Sequence, residues 1–294
     1  MTTLAFNVDN PQALNLHKVN LHDHDVVVIN SSAGADSQAM LSYLAALANA
    51  QGYSLDRFIV VHADLGRVEW EGTRELAEEQ ARFYGLRFEA VARDEDLLDQ
   101  VVTRRRTLDA KAETMLAEGN VLEADKARNT PAWPSSQARY CTSDQKTSQV
   151  VKLMTRLADA HRAAGNTRPL RILNCLGLRA DESPARAKKK SLHRDTASNG
   201  RREVTRWLPI FTWTAEQVWD TIRRSGVPYH PAYDAGMPRL SCVFCVLAGE
   251  RELVLAARLN PGLAAQYLTV EQAVGHTFRE KLSMATIVER ASTV

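Results

Sequence analysis

The chain has 294 residues, of which 37 are basic and 35 acidic, for a formal net charge of +2. That balance gives no global electrostatic case for a nucleic-acid partner, and no run of 18 apolar residues is present to cross a membrane as a helix. Length and a hydrophobic fraction of 45% fit one large α/β domain, or one domain with an appendage. Met1 to Asn10 carries neither the basic segment nor the long apolar core of a signal peptide, so a cytoplasmic location is expected.

Residues 1–24 read as a loose lead-in with His17, His22 and His24 scattered along it. Val26 to Asn30 is apolar almost to its end, as in a buried parallel strand. A loop of small residues follows, then a helical pattern from about Ser37 to Ala50. A second strand (Arg57 to His62), a helix (about Gly72 to Tyr84) and a third strand (Phe88 to Val91) come next. Alternation of strand and helix with short connections predicts an α/β fold built on a doubly wound, mostly parallel sheet. Residues 93–140 are less regular, with Asp94, Glu95 and Asp96, then Arg104-Arg105-Arg106, then a turn-rich stretch at 129–136; a mobile substrate lid is expected there. Ser143 to Ala164 reads as a helix and Leu170 to Leu176 as a strand, whereas the polar, basic residues 184–205 read as a flexible loop. Thr214 to Ser225 is a helix with Thr214 as N-cap, and beyond Tyr229 come loop and short helices, about 249–259 and 261–274. The expected organisation is a lead-in (1–24), a nucleotide-binding α/β domain (25–212) and a C-terminal loop and helical region carrying a Cys-x-x-Cys (213–294).

The loop after the first strand is Ser31-Ser32-Ala33-Gly34-Ala35-Asp36-Ser37. A strand feeding a small-residue turn and a helix N-terminus brings main-chain N–H groups together where the helix dipole favours anions. No Gly-Lys-Ser/Thr follows the glycine, so this is not the P-loop signature. An ordinary strand–turn–helix with Asp36 or Ser37 as cap is the plainer account.

The loop resembles the PP-loop of N-type ATP pyrophosphatases, Ser-Gly-Gly-x-Asp-Ser, with Ala33 at the first glycine. Alanine tolerates positive φ less well, so the loop must keep that position at negative φ or accept strain. Further motifs resemble the phosphoadenosine phosphosulfate (PAPS) reductase-like branch. They are His62-Ala63-Asp64-Leu65-Gly66, Arg139-Tyr140-Cys141-Thr142 with Lys146, Gly177-Leu178-Arg179-Ala180-Asp181-Glu182-Ser183 with Arg186, Trp207-Leu208-Pro209-Ile210 with Trp213, and Cys242-Val243-Phe244-Cys245. The resemblance implies an adenine nucleotide alpha hydrolase-like fold. It implies ATP on Ser31 to Ser37, adenosine near His62, Ala63 and Asp64, and phosphate or substrate near Gly177, Arg179 and Arg186. Asp36 would help hold Mg²⁺, and Asp36, Ser37, Lys146 and Arg179 are the catalytic candidates. Surface ion pairs with Asp181 or Glu182 are the plainer account of Arg179 and Arg186.

The implied reaction is attack on the α-phosphorus of ATP with release of pyrophosphate. Of the four cysteines, Cys175 lies in an apolar strand and is assigned to the core. In the family's assimilatory reductases a tandem Cys-Cys and a Cys-x-x-Cys bind a [4Fe-4S] cluster. Here Tyr140-Cys141 is one thiolate short. Three alternatives stand: Cys141, Cys242 and Cys245 hold a cluster with an open iron, a fourth ligand closes a zinc or iron–sulfur site, or the thiols are plain. The sequence has no cysteine after Cys245, so the usual nucleophile of the reductases is not expected. The expected role is therefore an ATP pyrophosphatase in sulfur transfer, with ATP, a DNA or tRNA acceptor and a cysteine desulfurase as partners, a second copy of the chain as a further candidate, and no membrane. DNA phosphorothioate modification leads, with tRNA thiolation close behind. A reductase of PAPS or adenylyl sulfate using an external thiol, and a nucleotide-binding module without turnover, are the alternatives. The basic residues of 186–206 would meet nucleic-acid phosphates, or form a solvated loop.

Overall fold

The computed structural model describes residues 19–293. His17 and most of the expected lead-in lie outside them. In chain order the elements are β1 (Val26–Ser31), α1 (Ala35–Gln51), β2 (Phe58–Asp64), α2 (Thr73–Phe83), β3 (Arg87–Ala92), α3 (Leu97–Ala117), α4 (Val121–Asn129), the single turn α5 (Tyr140–Thr142), α6 (Ser148–Ala163), β4 (Leu170–Leu176), the short α7 (Pro184–Ala187), β5 (Leu192–Arg194), β6 (Arg202–Trp207), α8 (Ala215–Ser225), α9 (Glu250–Leu259), α10 (Pro261–Val274) and α11 (Met284–Ser292).

The chain divides into two compact units. The first takes the described residues up to Ala63, then Gly72–Val91 and Val150–Pro231. The second takes Asp64–Glu71, Ala92–Gln149 and the described residues from Ala232. The boundary expected at residue 213 is therefore displaced. Residues 213–231 stay with the first unit because Gln38 of α1 donates to the carbonyls of Val227 (2.9 Å) and Pro228 (3.1 Å). Thr214 and Gln217 form a reciprocal capping box on α8, two orphan N–H groups satisfied at once.

The sheet runs β3-β2-β1-β4-β6-β5. β1 is parallel to β2 and to β4, and β4 to β6, while β5 runs antiparallel to β6. Both faces of β1 are covered, which its unbroken Val26-Val27-Val28-Ile29 demands. On one face Val26, Val28, Ile59, Val61, Ile172 and Val204 pack with Leu153 and Met154 of α6.

The stretch 184–205 is not a flexible loop. β6 pairs with β4 over six residues and with β5 on its other side, and Val204 and Trp207 are buried. Its charged residues hid a half-buried strand. Nor is 93–140 an irregular lid. Asp96 caps α3 by accepting from Asp99 N at 3.0 Å. The α3–α4 hairpin closes on Ala112, Ala124 and Ala127, and the buried Arg105 donates to the carbonyls of Ala127, Arg128 and Thr130 at the end of α4.

In the second unit the core is aromatic. Tyr267 and Trp133 stack at 5.7 Å, with Phe278 edge-on to Trp133 at 5.3 Å and Phe244 at 4.9 Å from Tyr267. The buried Glu271 accepts from Phe278 N (2.6 Å) and Met284 N (2.8 Å), tying the start of α11 to α10. No helix among the described residues is long and apolar enough to cross a membrane.

Candidate functional site

β1 is where the strand order reverses, since its chain successor β2 lies on one side and β4 on the other. Open α/β sheets bind ligands at the C-terminal strand ends of such a point. The loop Ser32–Ser37 follows β1 there. Gly34 is the N-cap of the 17-residue α1, and no side chain caps it. Ser37 Oγ donates to Gly34 O (2.8 Å) and accepts from Ser32 N (3.3 Å), while Ser31 Oγ accepts from Ala33 N (3.2 Å). These hydroxyls shape the loop, so Ser37 is committed to the main chain and is not a cap.

Ala33 takes φ +55 and is fully buried. Of the two outcomes open to the sequence, the loop accepts the strain. It is the one positive-φ residue other than glycine among the described residues.

Gly177, just past β4, is pressed against the loop. A Cβ there would lie 2.9 Å from Asp36 O, 3.0 Å from Asp36 C and 3.1 Å from Ser37 N. Only hydrogen fits, and the close approach carries Arg179 to Asp36, where Nε meets Oδ1 at 2.6 Å. Arg179 Nη1 also pairs with Asp181, its N–H donates to Glu182 Oε2 (2.9 Å), and Glu182 pairs with Arg186. Both arginines carry carboxylate partners, as the ion-pair account expects. Burial pushes the Asp36 carboxyl above its ordinary value, against the pull of Arg179. His62 is buried at the end of β2, in register with Ser31 and with Nδ1 3.0 Å from Ser31 O; Ala63 follows it and is partly buried. Asp64 is counted with the second unit, where it accepts from Gly66 N at 2.8 Å.

Also in the second unit are Cys141, Cys242, Cys245 and Lys146. Lys146 sits in a π-helical turn, Ser143–Thr147, that leads into α6, so the helix expected from Ser143 begins with a bulge, a feature frequent at functional sites. The three cysteines are partly buried against the aromatic core. Burial works against the Lys146 ammonium, but Cys242, Glu69, Cys245 and Cys141 outweigh it and raise its pKa. Burial pushes the Cys242 and Cys141 thiols up, with Lys146 pulling the other way. Tyr140, next to Cys141, donates its hydroxyl to Ala132 O at 2.5 Å and lies under the Arg104 guanidinium. It is spent on structure. Among the described residues no three His, Cys, Asp or Glu side chains are disposed to hold a metal ion, so the trio as it stands does not fit a cluster or a zinc site. Cys175 is buried in β4, as its apolar strand required.

The basic residues sort unevenly. Arg105 is consumed by α4, Arg202 bonds Ala197 O and Thr155 Oγ1, and Arg206 pairs with Asp195. Lys188, Lys189, Lys190 and Arg194 are exposed.

The family model described as "Phosphoadenosine phosphosulfate reductase domain" matches residues 26–248. An uncharacterized protein of Methanocaldococcus jannaschii is 32% identical over 111 residues, 37% of this chain and 22% of its own length. The adenosine 5′-phosphosulfate reductase of Staphylococcus haemolyticus is 33% identical over 69 residues, 24% of this chain and 27% of its own. The chain thus spans well under half the length of these curated relatives. Among solved structures, the PAPS reductase of Candida auris in a phosphate complex aligns at 16% identity and a TM-score of 0.38, covering 74% of this chain and 80% of its own. The FMN adenylyltransferase of Candida glabrata with FAD and pyrophosphate aligns at 13% and 0.40, covering 76% and 58%.

Proposed function

The chain belongs to the phosphoadenosine phosphosulfate reductase domain family, and from that premise we propose that it is an ATP pyrophosphatase that adenylates an acceptor. One observation carries the reading. An uncapped helix N-terminus stands behind Ser32–Ser37 at the reversal of strand order, with Gly177 pressed on the loop and Arg179 bonded to Asp36. The helix dipole and the main-chain N–H groups suit the β- and γ-phosphates. Arg179 and Arg186 supply charge-assisted contacts to phosphate or substrate.

An oxygen of the acceptor attacks the α-phosphorus. The bond to the bridging oxygen breaks, and pyrophosphate leaves with the electron pair. Hydrosulfide, freed from the desulfurase persulfide by an external thiol that is oxidised to disulfide, then attacks the adenylated atom of the acceptor, and AMP leaves with the electron pair. Positioning and electrostatics suffice for the first step, with no covalent protein nucleophile. Asp36 is the loop carboxylate that would help hold Mg²⁺, which would supply neutralisation of phosphate charge. No step is routed through the thiol trio. The acceptor in this reading is nucleic acid, DNA in phosphorothioate modification or tRNA in thiolation, with a cysteine desulfurase supplying sulfur. The exposed Lys188–Lys190 and Arg194 are suited to its phosphates.

A second reading is favoured by relatives such as the adenosine 5′-phosphosulfate reductase of Staphylococcus haemolyticus. In it an external thiol attacks the sulfonate sulfur of adenylyl sulfate or PAPS, and the nucleotide leaves with the electron pair. Two assays on the purified chain separate the readings. Pyrophosphate released from ATP in the presence of nucleic acid supports the first. Sulfite released from adenylyl sulfate or PAPS with a dithiol overturns it in favour of the second. Nucleotide binding with neither product overturns both and leaves a binding module.

A further inference from the structure

A polar relay crosses the C-terminal ends of three strands in the first unit. Arg206 Nε on β6 donates to Asp195 Oδ2 at 2.7 Å. Asn174 Nδ2 on β4 donates to the same oxygen at 3.1 Å. Asn30 Nδ2 on β1 donates to Asn174 Oδ1 at 2.7 Å and to the Cys175 carbonyl at 2.9 Å. Asn174 and Asp195 are buried, Asn30 half-buried.

The polarity of this relay is fixed at both ends. The Asp195 carboxylate only accepts; burial alone would raise its pKa, but Ala197 N–H, Arg206 and Asn174 together hold it below the ordinary range. Asn174 must therefore turn its NH₂ toward Asp195 and its oxygen toward Asn30. A main-chain carbonyl also only accepts, so Asn30 must turn its NH₂ toward Cys175. Both N–H bonds of Asn30 are thereby spent. Its Oδ1 is left over. Among the described residues no group donates to that oxygen, on a side chain that is half-buried.

Asn30 immediately precedes Ser31 and the phosphate loop, on the strand where the order reverses. A fixed acceptor there is unsuited to phosphate oxygens, which carry no proton at neutral pH. It is suited to the N–H or O–H donors of a nucleoside. We infer that Asn30 reads the nucleoside part of the bound nucleotide, accepting a hydrogen bond from a ribose hydroxyl or the adenine amino group, with Asn174 and Asp195 as positioning residues that fix its amide. The inference rests on nucleotide binding at Ser32–Ser37 and names what that site selects.

The test is calorimetric titration of the full chain with ATP, 2′-deoxyATP, 3′-deoxyATP, inosine triphosphate and inorganic tripolyphosphate. The wild type is expected to bind one analogue roughly three- to tenfold more weakly than ATP, the worth of one hydrogen bond. Which analogue it is identifies the donor. Asn30→Ala is expected to bring that ratio to about one while tripolyphosphate affinity stays unchanged. Asn174→Ser, which leaves the Asn30 amide held by the Cys175 carbonyl alone, is expected to shrink the ratio without moving tripolyphosphate, an effect that a purely structural relay would not produce. An unchanged ratio in folded Asn30→Ala overturns the inference, and an unchanged ratio in folded Asn174→Ser overturns the positioning role of Asn174. So does weaker Mg²⁺-dependent tripolyphosphate binding in Asn30→Ala, which would make Asn30 a metal contact. Tripolyphosphate binding without analogue discrimination in the wild type overturns it while leaving the phosphate loop standing. No binding of any of these ligands overturns the phosphate loop and the inference together.

Discussion

Ala33 is the place where the loop's conformation is tested by a single methyl group. At φ +55 an L-residue sits in the left-handed region, at a cost of about 1–2 kcal/mol. Ala33→Gly removes that cost. It also removes a methyl that is completely buried, worth about 0.8 kcal/mol. Glycine further loses about 0.4–1 kcal/mol through the greater freedom of the unfolded chain. The gain and the two losses nearly cancel, so Ala33→Gly is expected to change stability by less than about 1 kcal/mol in either direction. In melting temperature that is within roughly 2–4 °C. Ala33→Val is different in kind. A β-branched residue is a true outlier at positive φ, and the buried site must absorb two more carbons, for a loss of about 2–4 kcal/mol. Thermal and urea unfolding of both variants, followed by circular dichroism, reads these numbers. Valine tolerated within about 1 kcal/mol would refute the left-handed conformation. Glycine stabilising by more than about 2 kcal/mol would refute the idea that the Ala33 methyl packs usefully.

Gly177→Ala should force the end of β4 off the loop, because its Cβ would meet main-chain atoms at 2.9–3.1 Å that cannot rotate away. The expected result is a loss of about 1–3 kcal/mol in unfolding experiments together with weakened tripolyphosphate binding; wild-type values for both would count against the close approach. Asp181→Asn releases one partner of Arg179 and should tighten tripolyphosphate binding by roughly two- to fivefold, since the pair is half-exposed and worth well under 1.5 kcal/mol. Weaker binding would mean that Asp181 positions Arg179 rather than competes for it. Asp25 accepts from Arg168 at 2.6 and 2.7 Å and from Arg171, and these bonds outweigh burial to hold its carboxyl below the ordinary range. A depressed folded pKa stabilises above the unfolded value and loses that stabilisation as pH falls. Wild-type stability should therefore decline below about pH 4 more steeply than that of Asp25→Asn. Parallel declines in the two proteins would remove Asp25 from the acid response.

The parts of the fold legible in the sequence are those whose signal is local. Val26 to Ile29 is apolar without a break because both faces of β1 are covered, and the turn after it is built of small residues because β4 presses on it. The misread segments fail for a physical reason. The α3–α4 hairpin packs through Ala112, Ala124 and Ala127, and alanine at a close helix contact leaves no large-residue periodicity to see. β6 carries Arg202, Glu203, Thr205 and Arg206 because its polar positions are occupied by partners such as Thr155 and Asp195. Those partners lie tens of residues away or are themselves unremarkable in sequence. The same holds for the relay. Asn30 and Asn174 stand out as polar residues in apolar strands, but only the register of β1 on β4 brings them together. Lys146 appeared beside a cysteine motif, and nothing in its spacing announced the π-helical turn that turns it among the thiols.

The charges at the loop explain why Asp181 and Glu182 matter to the function proposed. Arg179 and Arg186 face Asp36, Asp181 and Glu182, so the carboxylates outnumber the arginines by one. A polyanion entering such a site gains little from the arginines unless a carboxylate is neutralised or displaced. In the proposed function a divalent cation arriving with the nucleotide would neutralise Asp36. Protonation does the same, and burial has already moved that carboxyl in the helpful direction. Tripolyphosphate offered without a divalent cation brings no compensating charge, and so it would meet the full surplus of negative charge. The acids therefore act as a filter. On the proposed reading they would weaken binding of ligands that come without a compensating charge. On that reading, selectivity for a metal-bound nucleotide over a metal-free polyanion would follow from the ion pairs themselves, with the proposed contact of Asn30 adding selection at the nucleoside.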